Sequence, residues 1–157
     1  MIYQIDRLVI SDKVSDWCRI PYPNHPKGCP NYGKKPRCPP NAPKIEEYFD
    51  ISKPLYLVHS EFDLSKHVQE MKDKHPTWSD LQCRCVLYWQ SRSRKQLMKR
   101  VEYTMIKNRM LTAFTDCPEG MGLNVYATAR LVGLKLEKIH NLSICRHVAL
   151  VGTRNRK

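Results

Sequence analysis

Four cysteines stand where thiol chemistry could be done: Cys18, Cys29, Cys38 and Cys117. Thiolate is the metal-binding form, and four of them satisfy tetrahedral zinc or a cubane iron–sulfur cluster. The spacing Cys18-x10-Cys29-x8-Cys38 is not the two-residue knuckle that wraps one ion. Single cysteines set far apart along a loop fit a bulkier, cluster-sized object, so a [4Fe-4S] cluster is favoured over zinc. Proline adds to this: Cys29-Pro30, Cys38-Pro39-Pro40 and Cys117-Pro118 share one local pattern, and bacterial ferredoxins place proline directly after a cluster cysteine. Cys117 is the natural fourth ligand, since it immediately precedes an expected helix whose N-terminus would favour a thiolate. Cys145 and His25 are reserve ligands, and an open fourth position remains a further option. Cys83 and Cys85 are two apart on an expected helix, face different ways and cannot easily share an ion. Core filling is expected for Cys85, with Cys83 left open. His59 and His147 lie in apolar runs and are read as structural.

The first three cysteines lie in residues 17–43, which hold eight of the chain's eleven prolines. Proline removes amide donors and clashes with the preceding helical turn, so this stretch is expected to be one long structureless loop. Such a loop is uncommon in a compact domain unless it has a function.

Within the loop, Cys29-Pro-Asn-Tyr-Gly-x4-Cys38-Pro-Pro resembles the signature of the predicted metal-binding proteins of domain-of-unknown-function family 2284. Residues 119–129, Glu-Gly-Met-Gly-Leu-Asn-Val-Tyr-Ala-Thr-Ala, resemble a second segment of that family. The resemblance implies a cysteine-bound metal or iron–sulfur site. It carries over to Cys29 and Cys38, with Tyr32 and Gly33 shaping the turn, and supplies no biochemical activity.

The second chemical signal is charge. A net charge of +12 on 157 residues predicts attraction to polyanions. The charge clusters between residues 81 and 110, where Arg84, Arg92, Arg94, Lys95, Lys99, Arg100, Lys107 and Arg109 face one acid, Glu102. Gln90 and Gln96 are interleaved, and Trp78, Tyr88, Trp89 and Tyr103 are close by. Cations neutralise phosphates and aromatics stack on bases. Arg92, Arg94, Lys95, Lys99, Arg100 and Trp89 are therefore nucleic-acid candidates, with RNA favoured. Lys34, Lys35 and Arg37 extend the same surface into the cysteine loop. Glu119, beside Cys117, is the leading acid–base candidate and Asp116 the second.

These groups need elements to hold them. Residues 2–10 read as a first strand and Leu55–Ser60 as a second, buried one. Residues 44–50 make about two helical turns, with Asn41 as cap. Asp63 caps a helix over Leu64–Lys74. Thr77 opens a long basic helix over residues 78–110, with Leu97, Val101 and Met105 as its core stripe and room for a break near Ser91–Ser93. Residues 113–118 are a connection, 119–132 a further helix ended at Gly133, and Leu134–Lys138 and His147–Val151 two closing strands. The sum is a single α+β domain over residues 1–157, with a small mixed sheet and three to four helices. No apolar run long enough to span a membrane occurs and no signal peptide is evident. A cytoplasmic location is expected, and there seven cysteines are ligands, catalytic thiols or core residues rather than disulfides.

The functions that follow are an iron–sulfur protein acting on RNA or a nucleotide base, a non-enzymatic nucleic-acid-binding module with structural zinc, and a small electron-transfer protein. Ligand count separates the first two, because structural sites are closed and catalytic ones keep an open position. No Gly-rich phosphate loop, deaminase signature or nucleophile elbow is present.

Overall fold

Two alternating apolar segments set up the sheet. In a strand, successive side chains point to opposite faces, and Leu55-Tyr-Leu-Val-His59 and Val148-Ala-Leu-Val-Gly152 carry apolar groups on both. Such strands must be covered on each side. In a computed structural model that describes residues 1–22, 25–138 and 142–156, they form the two central strands. Four strands, β1 (Ile2–Ile5), β2 (Leu55–His59), β4 (Ala113–Thr115) and β6 (Val148–Gly152), make one sheet in the order β1-β2-β6-β4. Every pair in it is antiparallel, with Tyr3 opposite Leu57, Leu57 opposite Leu150 and Thr115 opposite Leu150. The sheet is thus antiparallel where a mixed one was expected. A second, two-stranded sheet pairs β3 (Phe62–Asp63) with β5 (Ile144–Cys145).

One face of the large sheet, through Leu55, Leu57 and Leu150, packs on Ile45 and Phe49 at the short helix α1 (Ile45–Tyr48). Met121, Leu123 and Val125 at the start of helix α5 (Val125–Leu131) complete that layer. The other face presents Val58, Ala149 and Val151 to Leu97 and Val101 of helix α4 (Gln90–Lys107). A third cluster joins Leu64 and Val68 of helix α2 (Leu64–Lys74) to Cys83, Trp89 and Cys145. The α+β class is as expected.

Local signals placed several elements. Asp63 Oδ1 accepts from Lys66 N at 2.9 Å and starts α2, satisfying one of the amides that a helix N-terminus leaves unpaired. Gly133 has φ +74° just past α5, and Leu134 N donates back to Ala129 O at 2.9 Å, the glycine stop that was expected.

Other expectations are corrected. The long helix over 78–110 is broken into α3 (Asp80–Cys83), a 3-10 turn at Val86–Tyr88 and α4. Ser79, not Thr77, caps α3, exchanging hydrogen bonds with Gln82. The break exists because Trp89 turns inward. Its ring stacks on Phe62 at 5.3 Å and its indole N–H donates to Arg84 O at 3.0 Å. Residues 119–132 are likewise two pieces, a 3-10 turn at Pro118–Met121 and α5, divided by Gly122 at φ +92°. Residues 113–115 are strand β4 rather than a connection, and 134–138 form no strand. Lys44, not Asn41, caps α1.

Candidate functional site

The proline-rich loop is folded by its own turns. Ser11 caps a 3-10 helix at Asp12–Arg19 that carries Cys18 in its last turn. The chain then returns so that Cys29 N donates to Cys18 O at 2.7 Å. Gly28 permits this. It has φ +79°, and a Cβ there would sit 2.5 Å from Cys18 O, so only glycine meets both demands. Beyond Cys29, Gly33 N donates to Pro39 O at 2.7 Å, and Cys38 O accepts from Asn41 N and Ala42 N. Arg19 lies over the Tyr32 ring at 5.9 Å. The segment from Cys29 to Cys38 is therefore a closed pair of turns rather than an open loop.

Cys117 reaches this segment from β4. Its amide donates to Thr115 Oγ1 at 3.2 Å, and it opens the 3-10 turn Pro118–Met121. That turn lies against the Cys38 segment, since a Cβ on Gly120 would stand 3.0 Å from Cys117 Sγ, 3.1 Å from Pro39 Cδ and 3.3 Å from Arg37 O. Arg37 Nη1 donates to Asp116 Oδ1 at 2.8 Å and pins the two segments together across 79 positions of sequence.

The four thiols share one electrostatic neighbourhood. Burial pushes Cys18 up to about 11, and charge on Cys29, Glu119 and Cys38 pushes it the same way. Burial pushes Cys117 up to about 12, with Glu119, Cys18 and Cys38 adding to the effect. Here the helix-N-terminus argument fails, because a four-residue 3-10 turn brings too little dipole to outweigh desolvation. A cation among these thiols would reverse the balance, since metal binding drives deprotonation. Among the described residues no group of three or more His, Cys, Asp or Glu forms a ready site for a metal ion. The thiols thus share a neighbourhood without a formed coordination shell. In donor type the set suits an iron–sulfur or zinc group, but the described residues do not gather three of these side chains into a metal-holding group.

Of the reserve ligands, Cys145 lies elsewhere. Cys145 is buried beside Leu64, Val68 and Trp89 in the third cluster. His25 stacks on Tyr22 at 4.5 Å. Burial, then the charge of Cys29, raises the Tyr22 phenol, so this pair sits at the border of the thiol group. The expectation for the Cys-x-Cys pair is reversed: Cys83 is fully buried and Cys85 only half-buried.

Glu119 faces the thiols on one side and a cavity of about 240 Å³ on the other. Burial raises its carboxyl to about 7, and the charge of Asp116 adds to the rise. Arg94, Asp116, Tyr126, Glu137 and His147 also border the cavity. The ring of His147 is held by a buried hydroxyl chain: Ser93 Oγ lies 2.8 Å from His147 Nδ1 and 2.9 Å from Ser60 Oγ. Burial and the Arg94 charge push this imidazole down to about 4. Glu137 accepts from Ser143 N, Ser143 Oγ and Ile144 N, and these hydrogen bonds hold its carboxyl down at about 2. Tyr126 and Glu137 escaped sequence reasoning, and His147 was expected only as a structural residue, not at a cavity. The one available signal was a histidine and an arginine inside an otherwise apolar closing segment.

The candidate side chains of the basic helix divide between surface and core. Arg92, Lys95 and Lys99 are exposed on one face of α4 and border a groove of about 400 Å³. Arg94 is exposed on the flank and borders the cavity instead. Trp89, only 4% exposed, is a core residue and cannot stack on a base. Arg100 Nη1 donates to His59 O at 2.6 Å and serves the fold. Gln96 accepts from Glu61 N at 3.0 Å, so it is not a free reader of base edges. Elsewhere His75 stacks on Trp78 at 4.0 Å and Trp78 on Tyr88 at 5.5 Å, and Tyr88 is 53% exposed. Lys34 and Lys35 are exposed, whereas Arg37 is engaged with Asp116.

Comparison of the chain with protein-family models, with curated proteins and with solved structures gave no match. Among the described residues no helix is long and apolar enough to cross a membrane.

Proposed function

We propose that this chain is a nucleic-acid-binding protein whose Cys18, Cys29, Cys38 and Cys117 hold a [4Fe-4S] cluster and whose substrate is RNA or a nucleotide base. The observation that carries the reading is the meeting of Cys117 with the Cys18–Cys38 segment through the Gly120 approach and the Arg37–Asp116 ion pair. Burial, with nearby charge adding to it, raises Cys18 and Cys117, so these two would ionise readily only with a cation to share. The resemblance of residues 29–40 to domain-of-unknown-function family 2284 points the same way. When bound by all four thiols, the cluster would supply electrons. The chain's own residues do the rest: Arg92, Lys95 and Lys99 neutralise phosphates, Lys34 and Lys35 extend that field, and Glu119 stands between thiols and cavity as the acid–base group. Seven free thiols suit a reducing compartment such as the cytoplasm.

Four protein thiols also make a closed set, which favours a second reading, structural zinc in a binding module. Anaerobic purification followed by an absorption spectrum and iron, sulfide and zinc analysis decides between them. About four irons per chain support the cluster, whereas one zinc per chain supports the module. A folded chain with neither, or unchanged metal content in the Cys29→Ala/Cys38→Ala variant, overturns both. For the partner, Arg92→Ala/Lys95→Ala is expected to weaken RNA binding and to lower the log–log salt slope by about 1.4, since each single-strand phosphate contact contributes ~0.7. An unchanged slope would remove α4 from the interface.

A further inference from the structure

The cavity beside Glu119 has a size, a polarity and a position that the cysteine site does not account for. At about 240 Å³ it falls below the ~300–1,000 Å³ of pockets for drug-sized ligands. It has room for one flat ring system and not for a dinucleotide. Leu97, Val125 and Val148 give it apolar walls. Polar groups border it at a few points, with the imidazole of His147 the most firmly held. Because His147 Nδ1 is engaged by Ser93 Oγ at 2.8 Å, Nε2 is the ring nitrogen left for a ligand.

The charges bordering the cavity are of both signs, while those on the outer face of α4 are of one. Asp116, Glu119 and Glu137 border the cavity together with Arg94 and Arg146, so carboxyl groups outnumber guanidinium groups there. The cations Arg92, Lys95 and Lys99 stand outside it, on the exposed face of the same helix whose Arg94 and Leu97 border the cavity. A polymer with an anionic backbone and uncharged flat side groups matches both halves of this arrangement. Enzymes that act on a base take it out of its stack into a snug pocket and read its edge by hydrogen bonds.

We propose that the cavity receives one unstacked nucleobase of a strand whose phosphates lie on the Arg92–Lys95–Lys99 face of α4, with His147 Nε2 and the Tyr126 hydroxyl at the base edge. This deepens the nucleic-acid reading above and rests on it for the strand, but not on the cluster.

The test uses the full chain and a single-stranded RNA carrying one 2-aminopurine and a separate end label. Label anisotropy reports strand binding, and 2-aminopurine emission reports the surroundings of the base. Free 2-aminopurine riboside is titrated in parallel, to distinguish a base presented by a strand from a free nucleoside. Met98→Trp narrows the cavity from its partly exposed rim without touching a cysteine or the basic face. For the wild type, emission is expected to change by about two-fold or more on strand binding. Met98→Trp is expected to abolish that change while altering the anisotropy Kd by less than about three-fold and leaving metal content as in the wild type. His147→Gln is expected to reduce the emission change while leaving the salt slope unaltered. Strand binding with no emission change, or an emission change that persists in Met98→Trp, overturns the proposal. If no strand binds, the nucleic-acid reading fails by itself and the riboside decides the cavity. Saturable riboside binding lost in Met98→Trp upholds a nucleobase site, and its absence in the wild type overturns it.

Discussion

Gly120→Ala adds one methyl group at the contact between the two cysteine-bearing segments. Gly120 does not have a positive φ, unlike Gly28, Gly33, Gly122 and Gly133, so alanine meets no backbone strain there. Its cost comes from crowding alone. The new Cβ would stand 3.0 Å from Cys117 Sγ, 3.1 Å from Pro39 Cδ and 3.3 Å from Arg37 O, against an optimal carbon–carbon separation of about 3.5–4.0 Å. Three contacts must each open by several tenths of an ångström. Two of them involve stiff groups, a proline ring and a backbone carbonyl. Overpacking of this kind costs about 1–3 kcal/mol, which at this chain length lowers Tm by roughly 3–10 °C. The softer partner is the Cys117 side chain, so metal retention should fall further than stability does. Gly133→Ala is the control. It has φ +74° and nothing within 4 Å, so it adds strain without crowding and should leave metal content unchanged. The assay is thermal unfolding of the metal-free and reconstituted proteins, with iron and zinc counted after gel filtration. Wild-type Tm and metal content in Gly120→Ala would refute the close approach of Cys117 to the Cys38 segment.

Two further outcomes follow from the packing and the charges. Leu97→Ala, at a site 2% exposed between α4 and the sheet, should cost about 2–5 kcal/mol in denaturant unfolding, and a loss below 1 kcal/mol would contradict the packing of α4. Burial lowers the pKa of His147 in the fold to about 4, from the ordinary imidazole value of 6.5. Its contribution to stability is therefore complete above pH 6.5 and is lost as pH falls toward 4. By linkage that contribution is at most on the order of 3 kcal/mol, and less because the ring borders an open cavity. Arg94, Asp116, Glu119, Glu137, Cys145 and Arg146 border the same space, so the measurement is the difference between wild type and His147→Gln across that window. A difference that does not narrow as the pH falls would show that the imidazole is not held neutral.

What the sequence made legible had local causes. The strand at Leu55–His59 carries its own apolar run, and α2 carries its own aspartate cap. Cysteine-proline pairs mark Cys38 and Cys117, and the segments that carry them meet at Gly120. The errors share the opposite cause. Trp89 reads as a surface aromatic on a long helix until Phe62 and Cys145, both remote in sequence, are placed around it. Ala113–Thr115 is too short to declare itself a strand, and only β6 makes it one. His147 looks like a core histidine because Ser60 and Ser93, which hold it, come from two other elements. Arg37 looked like a phosphate cation, and its carboxylate partner lies 79 residues away.

The order β1-β2-β6-β4 leaves β1 and β4 as the outer strands of the large sheet. Cys18 follows soon after β1, and Cys117 comes two residues after β4. A group bound by both cysteines therefore fastens the two margins of the sheet to each other. Outer strands are places where proteases cut and where chains stick to one another. Under the cluster reading proposed above, loading the group would protect both of them at once.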